Sequence, residues 1–205
     1  MMQFHSYDPA EGHGLPHDPF KAIVAPRPIG WISSTDSEGV ANLAPYSFFN
    51  AFVSSPPIIG FSSEGRKHSL ANIEATGVFC FNLATRAMAE AVNQTSGAYP
   101  AEVDEFEAAG LEKTPCSAIP APRVANALAA LECKVTAIHR LSDLDGNGLE
   151  AHLVLGQVVY VHIAETALID GRFDIAKAGT IARCGYRGDY AEVTETFEML
   201  RPSIG

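Results

Sequence analysis

Residues 62–69 read Ser-Ser-Glu-Gly-Arg-Lys-His-Ser, and the residue types are those of an anion site. Gly65 gives the backbone room. Arg66 and Lys67 supply adjacent positive charges beside His68, and Ser69 stands where a helix would open. Main-chain N–H groups at a helix start bind oxyanions, and neighbouring cations strengthen the hold. A phosphate is the natural guest. The same residues would equally make a solvated basic turn with a serine cap.

A second constellation precedes it. Residues 26–50, PRPIGWISSTDSEGVANLAPYSFFN, hold many small hydroxyl and amide groups beside many aromatics. A flat ring with a polar edge, such as a flavin, needs donors at its edge and packing on its face. Ser33, Ser34, Thr35, Asn42 and Ser47 are candidates for the edge, and Trp31, Tyr46 and Phe48 for the face. The alternative is β-turn serines and core aromatics, and composition alone does not decide between them.

Other chemistry is not expected. His13 and His17 have the spacing of a helical metal pair, but Gly14 and Pro16 lie between them and oppose a helix. No nucleophile elbow, Walker loop or G-x-G-x-x-G fingerprint occurs, so neither a serine hydrolase nor a Rossmann site is indicated. No catalytic acid, base or nucleophile is assigned, and no metal.

The chain that must position these groups has 205 residues, enough for one domain with a sizeable core. A hydrophobic share of 47% against 19% charged residues is that of a globular protein. The formal charge of −10 argues against nucleic acid or an anionic membrane as the main partner. No run approaches a membrane span, and the first residues lack the pattern of a signal peptide, so a cytoplasmic protein is expected. Four cysteines without C-x-x-C spacing fit free thiols, with Cys80 and Cys133 in apolar surroundings.

Turn chemistry and periodicity place the elements. Residues 1–25 read as an irregular arm with an apolar anchor at Phe20–Val24, and 26–205 as a single domain. Strands are expected over IGWISST, over a long irregular run ANLAPYSFFNAFVS, and over IIGFSS. Pro45 inside the second implies an edge or a bulge. Ser69 is expected to cap a helix with Leu70 and Ile73 on one face, and Gly77 to stop it. VFCFNLA reads as a strand, TRAMAEAVNQTS as a helix and VDEFEAAG as a short acidic helix. Two long strands follow around an Asn-Gly hairpin in DLDGNG, the second broken at Gly156. The fold class is mainly β: an antiparallel β-barrel with two or three covering helices.

Several segments then carry a resemblance. PRPIGW, NLAPYSFFN and GRKHSL are its most specific pieces, and VNQTS, VDEFEAAGL, LECKV, GQVVYVHI and IARCGYRGDYAEV follow in order over nearly the whole chain. The sequence resembles flavin reductase-like proteins that bind FMN on a split β-barrel, in the flavoredoxin-type branch. The resemblance implies a homodimer with FMN near the subunit interface. It implies that Trp31, Ser33, Ser34, Thr35 and the segment holding Asn42, Ala44, Ser47, Phe48 and Asn50 flank the isoalloxazine. Ser62 with Arg66, Lys67, His68 and Ser69 would hold the phosphate. It implies an NAD(P)H-dependent flavin reductase, with nicotinamide stacked over the flavin and a monooxygenase or redox protein as acceptor. An electron carrier fed by a protein donor, or a non-catalytic flavin module, would need the same pocket. Two positions depart from the family pattern: His68, where an acidic residue is commoner, and Cys184, where an aliphatic one is. His152 and Tyr190 are candidates to border the nicotinamide space, and Cys184, in a turn expected to approach the flavin, is a candidate redox thiol or a structural residue.

Overall fold

The computed structural model describes residues 1–204. β1 (Gly30–Thr35) and β2 (Ala41–Tyr46) form a hairpin closed at Asp36, whose carboxylate accepts the N–H groups of Glu38 and Val40. β3 (Phe49–Ser54) pairs with β4 (Pro57–Glu64). After the helix α1 (His68–Thr76) come β5 (Val78–Leu83), the short helices α2 (Ala89–Gln94) and α3 (Glu105–Ala108), and the long strands β6 (Ala129–Ser142) and β7 (Gly148–Ile163).

One antiparallel sheet of seven strands runs in the order β2-β1-β5-β6-β7-β4-β3. Its two edges are therefore β2 and β3, which only Ser47 and Phe48 separate in sequence. Two edges joined by so short a link must lie close, so the sheet curls toward a barrel that is split at this point. The run expected as one long strand over 41–54 is thus two strands serving opposite edges. Pro45 sits on edge strand β2, where its missing N–H leaves no ladder bond unmade.

Both faces of β1 are buried. Ile32 packs inside the curl with Phe61, Leu70, Ile73, Phe79 and Val154. Trp31 faces the other way, onto Leu43, Val92, Phe106 and Ile181. α1 is held by Leu70 and Ile73 and ends at Gly77, whose φ of 72° is the left-handed cap expected there. The N-cap is Lys67, not Ser69, which lies inside the first turn.

Gly156 does not break β7. The strand runs through it with a register shift, and a Cβ there would stand 2.5 Å from the Phe79 ring. In the hairpin loop Gly146 (φ 83°), and not Asn147-Gly148, takes the left-handed position. A small sheet of Arg27–Pro28, β8 (Ile181–Arg183) and β9 (Tyr190–Glu192) closes the structure. The expected anchor at Phe20–Val24 is a one-turn helix, but Phe20, Ile23 and Val24 stay exposed and only Ala22 packs closely, against Gly185. Among the described residues no helix is long and apolar enough to cross a membrane.

Candidate functional site

β2 and the start of α1 form two walls of a cavity of ≈ 420 Å³. Asn42, Ala44, Pro45 and Tyr46 come from β2, and Arg66, Lys67, His68 and Ser69 from the loop and first turn of the helix. The α2–α3 connection supplies Thr95–Tyr99, and α3 supplies Glu105. Of the residues expected to hold a cofactor, these bring six together: Asn42, Ala44, Arg66, Lys67, His68 and Ser69.

A buried polar chain shapes the floor. The Asn42 amide directs its NH2 to Glu105 Oε1 (3.2 Å) and its carbonyl to the Ser69 hydroxyl (2.8 Å), the orientation an acceptor-only carboxylate requires. Glu105 Oε2 accepts the N–H of Leu43 at 3.0 Å. Burial pushes the Glu105 carboxyl above its usual pKa; the Leu43 N–H and the nearby His68 pull the other way. His68 therefore offsets a buried acid, and an acidic residue at that position would add to the strain.

The Tyr46 hydroxyl lies near Ser63 and Ser69 without closing a hydrogen bond to either, and burial raises its pKa. Two cations and the free N–H groups of a helix start, on a cavity that Tyr46 and Ser69 also line, are a donor set for an oxyanion. The residues present fit a flavin phosphate at this end.

Two further hollows lie nearby, the first sharing residues with the cavity and the second only with the first. One, of ≈ 430 Å³, shares Pro45 and Ser96 with the cavity and is closed by Ser47, Arg183, Arg187 and Tyr190. The other shares Ser47 and contains Phe48, Asn50, Ser62 and Arg27. Ser47, Phe48, Asn50 and Ser62 thus lie along the same groove but away from Arg66. Arg27 stands over the Phe48 ring at 5.7 Å.

The structure does not bring Trp31, Ser33, Ser34 or Thr35 to this groove. The Trp31 indole donates to Thr95 Oγ1 at 2.9 Å inside the core, so it steadies a cavity residue at one remove. The Ser33 hydroxyl donates to the Pro122 carbonyl (2.6 Å) and accepts from Asn82 Nδ2 (3.1 Å). Asn82 also accepts the Val124 N–H at 2.8 Å. Ser34 accepts from Asn72 at 3.3 Å, and Thr35 borders a separate hollow beside the β1–β2 turn. Both faces of β1 are buried, and the hydroxyls of Ser33 and Ser34 are taken up by partners from other elements.

Tyr190 lines the groove, whereas His152 stands in β7 opposite Ser63 and borders none of the three hollows. Cys184 contributes its carbonyl to Arg27 (2.9 Å). Sequence reasoning missed Thr95–Tyr99, Glu105, Arg183 and Arg187. The first group had a signal, a run of small polar residues and a glycine closing an amphipathic helix. Glu105 had none, since an acidic residue in the first helical turn normally faces water.

Residues 24–176 match the flavin reductase like domain. The chain belongs to the flavin reductase-like family. A protein of Deinococcus radiodurans described as uncharacterized is 33% identical over 192 residues, 88% of this chain and 82% of its own. The crystal structure of nitrilotriacetate monooxygenase component B from Bacillus cereus superposes with a TM-score of 0.87 at 29% identity, over 97% of this chain and 100% of that one. A Shewanella frigidimarina structure described as a flavin reductase with a split barrel domain aligns at 24% identity and TM-score 0.77, over 91% and 90% of the two chains. The curled seven-stranded sheet, parted between β2 and β3, is the split β-barrel of this family.

Proposed function

We propose that this flavin reductase-like protein binds FMN in the groove and passes electrons from NADH or NADPH to it. The observation that carries this is the oxyanion donor set at the start of α1, lining a cavity of ≈ 420 Å³ beside the β2 edge. Arg66, Lys67 and the first N–H groups of α1 would hold the phosphate, with Tyr46 and Ser69 beside it. Ala44, Pro45 and Ser47 on the β2 edge would border the ring. When bound, FMN supplies the hydride-accepting chemistry. The protein's part is proximity and exclusion of water, so no side-chain acid or base is required.

Likeness to a monooxygenase component B supports an oxygenase as the acceptor of the electrons. Exposed apolar side chains on β3 and β7, among them Phe52, Val53, Tyr160, Val161 and Ile163, support a homodimer. Four unpaired cysteines support a cytoplasmic setting.

The test is the absorbance spectrum of the purified protein supplied with FMN, followed by anaerobic addition of NADH or NADPH. A flavin spectrum that bleaches with either nucleotide is the expected result. A flavin spectrum that resists both, but bleaches with a reduced ferredoxin-like donor, would replace the reductase with an electron carrier. Failure to retain FMN would remove both.

A further inference from the structure

We propose that Arg183 and Arg187 form a second oxyanion subsite in this groove, taking a phosphate of a nucleotide reductant. The inference rests on the reductase reading, in which that nucleotide is a nicotinamide dinucleotide. The hollow of ≈ 430 Å³ that holds both arginines shares Pro45 and Ser96 with the first cavity, so the two are neighbours in the fold.

Charge bookkeeping separates the two sites. FMN carries its charge on its phosphate, which Arg66 and Lys67 serve, and its oxidised ring is neutral. Reduction adds one negative charge to the ring, so a pair of further guanidinium groups on that side exceeds what the cofactor needs. Among the described residues neither arginine has an ion-pair partner, although the chain carries a formal charge of −10. Asp189 offers Arg183 only its main-chain carbonyl, at 2.7 Å, and the Tyr186 carbonyl accepts at 3.2 Å. Both bonds use Nη1. The Tyr190 ring lies 4.7 Å from the guanidinium carbon. Arg183 is thus held on one side and free to bind on the other, the arrangement of a built anion site.

The turn that carries the pair is anchored from outside. The buried Arg27 donates Nη2 to the Cys184 carbonyl at 2.9 Å and Nη1 to the carbonyls of Lys21 and Val24. Gly185 presses on the Phe20–Ile23 helix so closely that a Cβ would stand 2.4 Å from Ala22 Cβ. The binding face is therefore formed before a ligand arrives, which limits the ordering cost of association.

The test is calorimetric titration of the FMN-loaded protein with adenosine 5′-diphosphate, adenosine 2′,5′-bisphosphate and benzoate, with FMN affinity measured separately. Arg187 is exposed, so Arg187→Ala should fold normally. It should weaken the phosphorylated probes about tenfold, with partial recovery in Arg187→Lys and no change in FMN affinity. Unchanged probe affinity overturns the proposal. So does an equal loss of FMN affinity, or a shifted flavin potential without a change in probe binding, because the arginines would then serve the cofactor. Binding of benzoate in place of both adenosine phosphates overturns the assignment to phosphate. Bleaching by NADPH without Arg187-dependent probe binding sinks the subsite alone. Arg187-dependent probe binding without bleaching sinks the reductase reading alone.

Discussion

Glu105 Oε2 accepts the main-chain N–H of Leu43 at 3.0 Å, across 62 residues of sequence. Through Asn42 the same carboxylate fixes the Ser69 hydroxyl at the cavity floor. Glu105→Ala leaves the Asn42 NH2 without its acceptor and the Leu43 N–H with only the Asn42 carbonyl, at 3.1 Å, and should cost about 1–3 kcal/mol of stability, together with a loss of FMN affinity. Glu105→Gln keeps an acceptor for Leu43 and should retain most of both. Urea unfolding and flavin titration of the two variants measure this.

The same carboxyl sets a pH dependence. Its folded pKa lies above the ordinary 4.5, so between those two values the folded chain binds more protons than the unfolded one. Stability from this group is therefore greatest below 4.5 and falls as pH rises through the raised value. Glu105→Gln should flatten that slope. An unchanged slope in the variant would place the dependence on another group.

Arg66 pairs with Glu74 at 2.8 Å, with the arginine side chain 64% exposed. An exposed pair of this kind adds little stability, about 0–1 kcal/mol. Arg66→Ala combined with Lys67→Ala should therefore leave unfolding nearly unchanged while raising the FMN Kd about tenfold or more. Quenching of flavin fluorescence on binding measures the affinity. Equal affinity in the double variant would remove the phosphate assignment.

Glu132 in β6 is fully buried and accepts the N–H groups of Ser117 and Ala118 and the His162 ring, each at 2.6 Å. Burial favours the protonated acid, but these three donors together outweigh it and hold the pKa below the ordinary value. The resulting stability is present above the unfolded value of 4.5 and is lost as pH falls through the lower folded one. Glu132→Ala should cost about 3–5 kcal/mol, because it orphans buried donors, and should remove this part of the acid sensitivity. Thermal unfolding between neutral and acid pH checks both.

Cys80 and Cys133 are wholly buried, and their thiols are pushed up in pKa, Cys80 chiefly by the neighbouring Cys116 and Cys133 by burial. Cys116 and Cys184 are partly exposed. In the native protein a thiol reagent should modify two cysteines quickly and two only on unfolding. Peptide mapping that finds Cys80 or Cys133 labelled in the native state would contradict the packing.

Much of this protein was legible in its sequence because the signals were local. Gly77 ends α1 as a left-handed glycine must, Pro45 marks an edge, and apolar runs bounded by turn residues name the strands β4 through β7. The GRKHS loop reads as an anion site because charge, glycine and a helix start lie within a few residues. Ser33 and Ser34 lie away from the groove for a physical reason. A hydroxyl-rich strand looks like a binding edge, yet when both faces are covered its polar groups must find partners inside the protein. Nothing local tells Ser33, which bonds to Pro122, from Ser47, which lines the groove.

The sequence by itself determined most of the elements, the family motifs and the cationic loop, since propensity, turn chemistry and charge act over a few residues. Only the tertiary structure decided that β2 and β3 stand at opposite edges of one curled sheet, with the groove along their junction. It alone brought Glu105 to Leu43 and Arg27 to the Cys184 carbonyl, 157 residues away, in the turn that carries Arg183 and Arg187. Such pairings arise from the burial of whole faces and the satisfaction of distant polar groups, and these act between residues that share no local pattern.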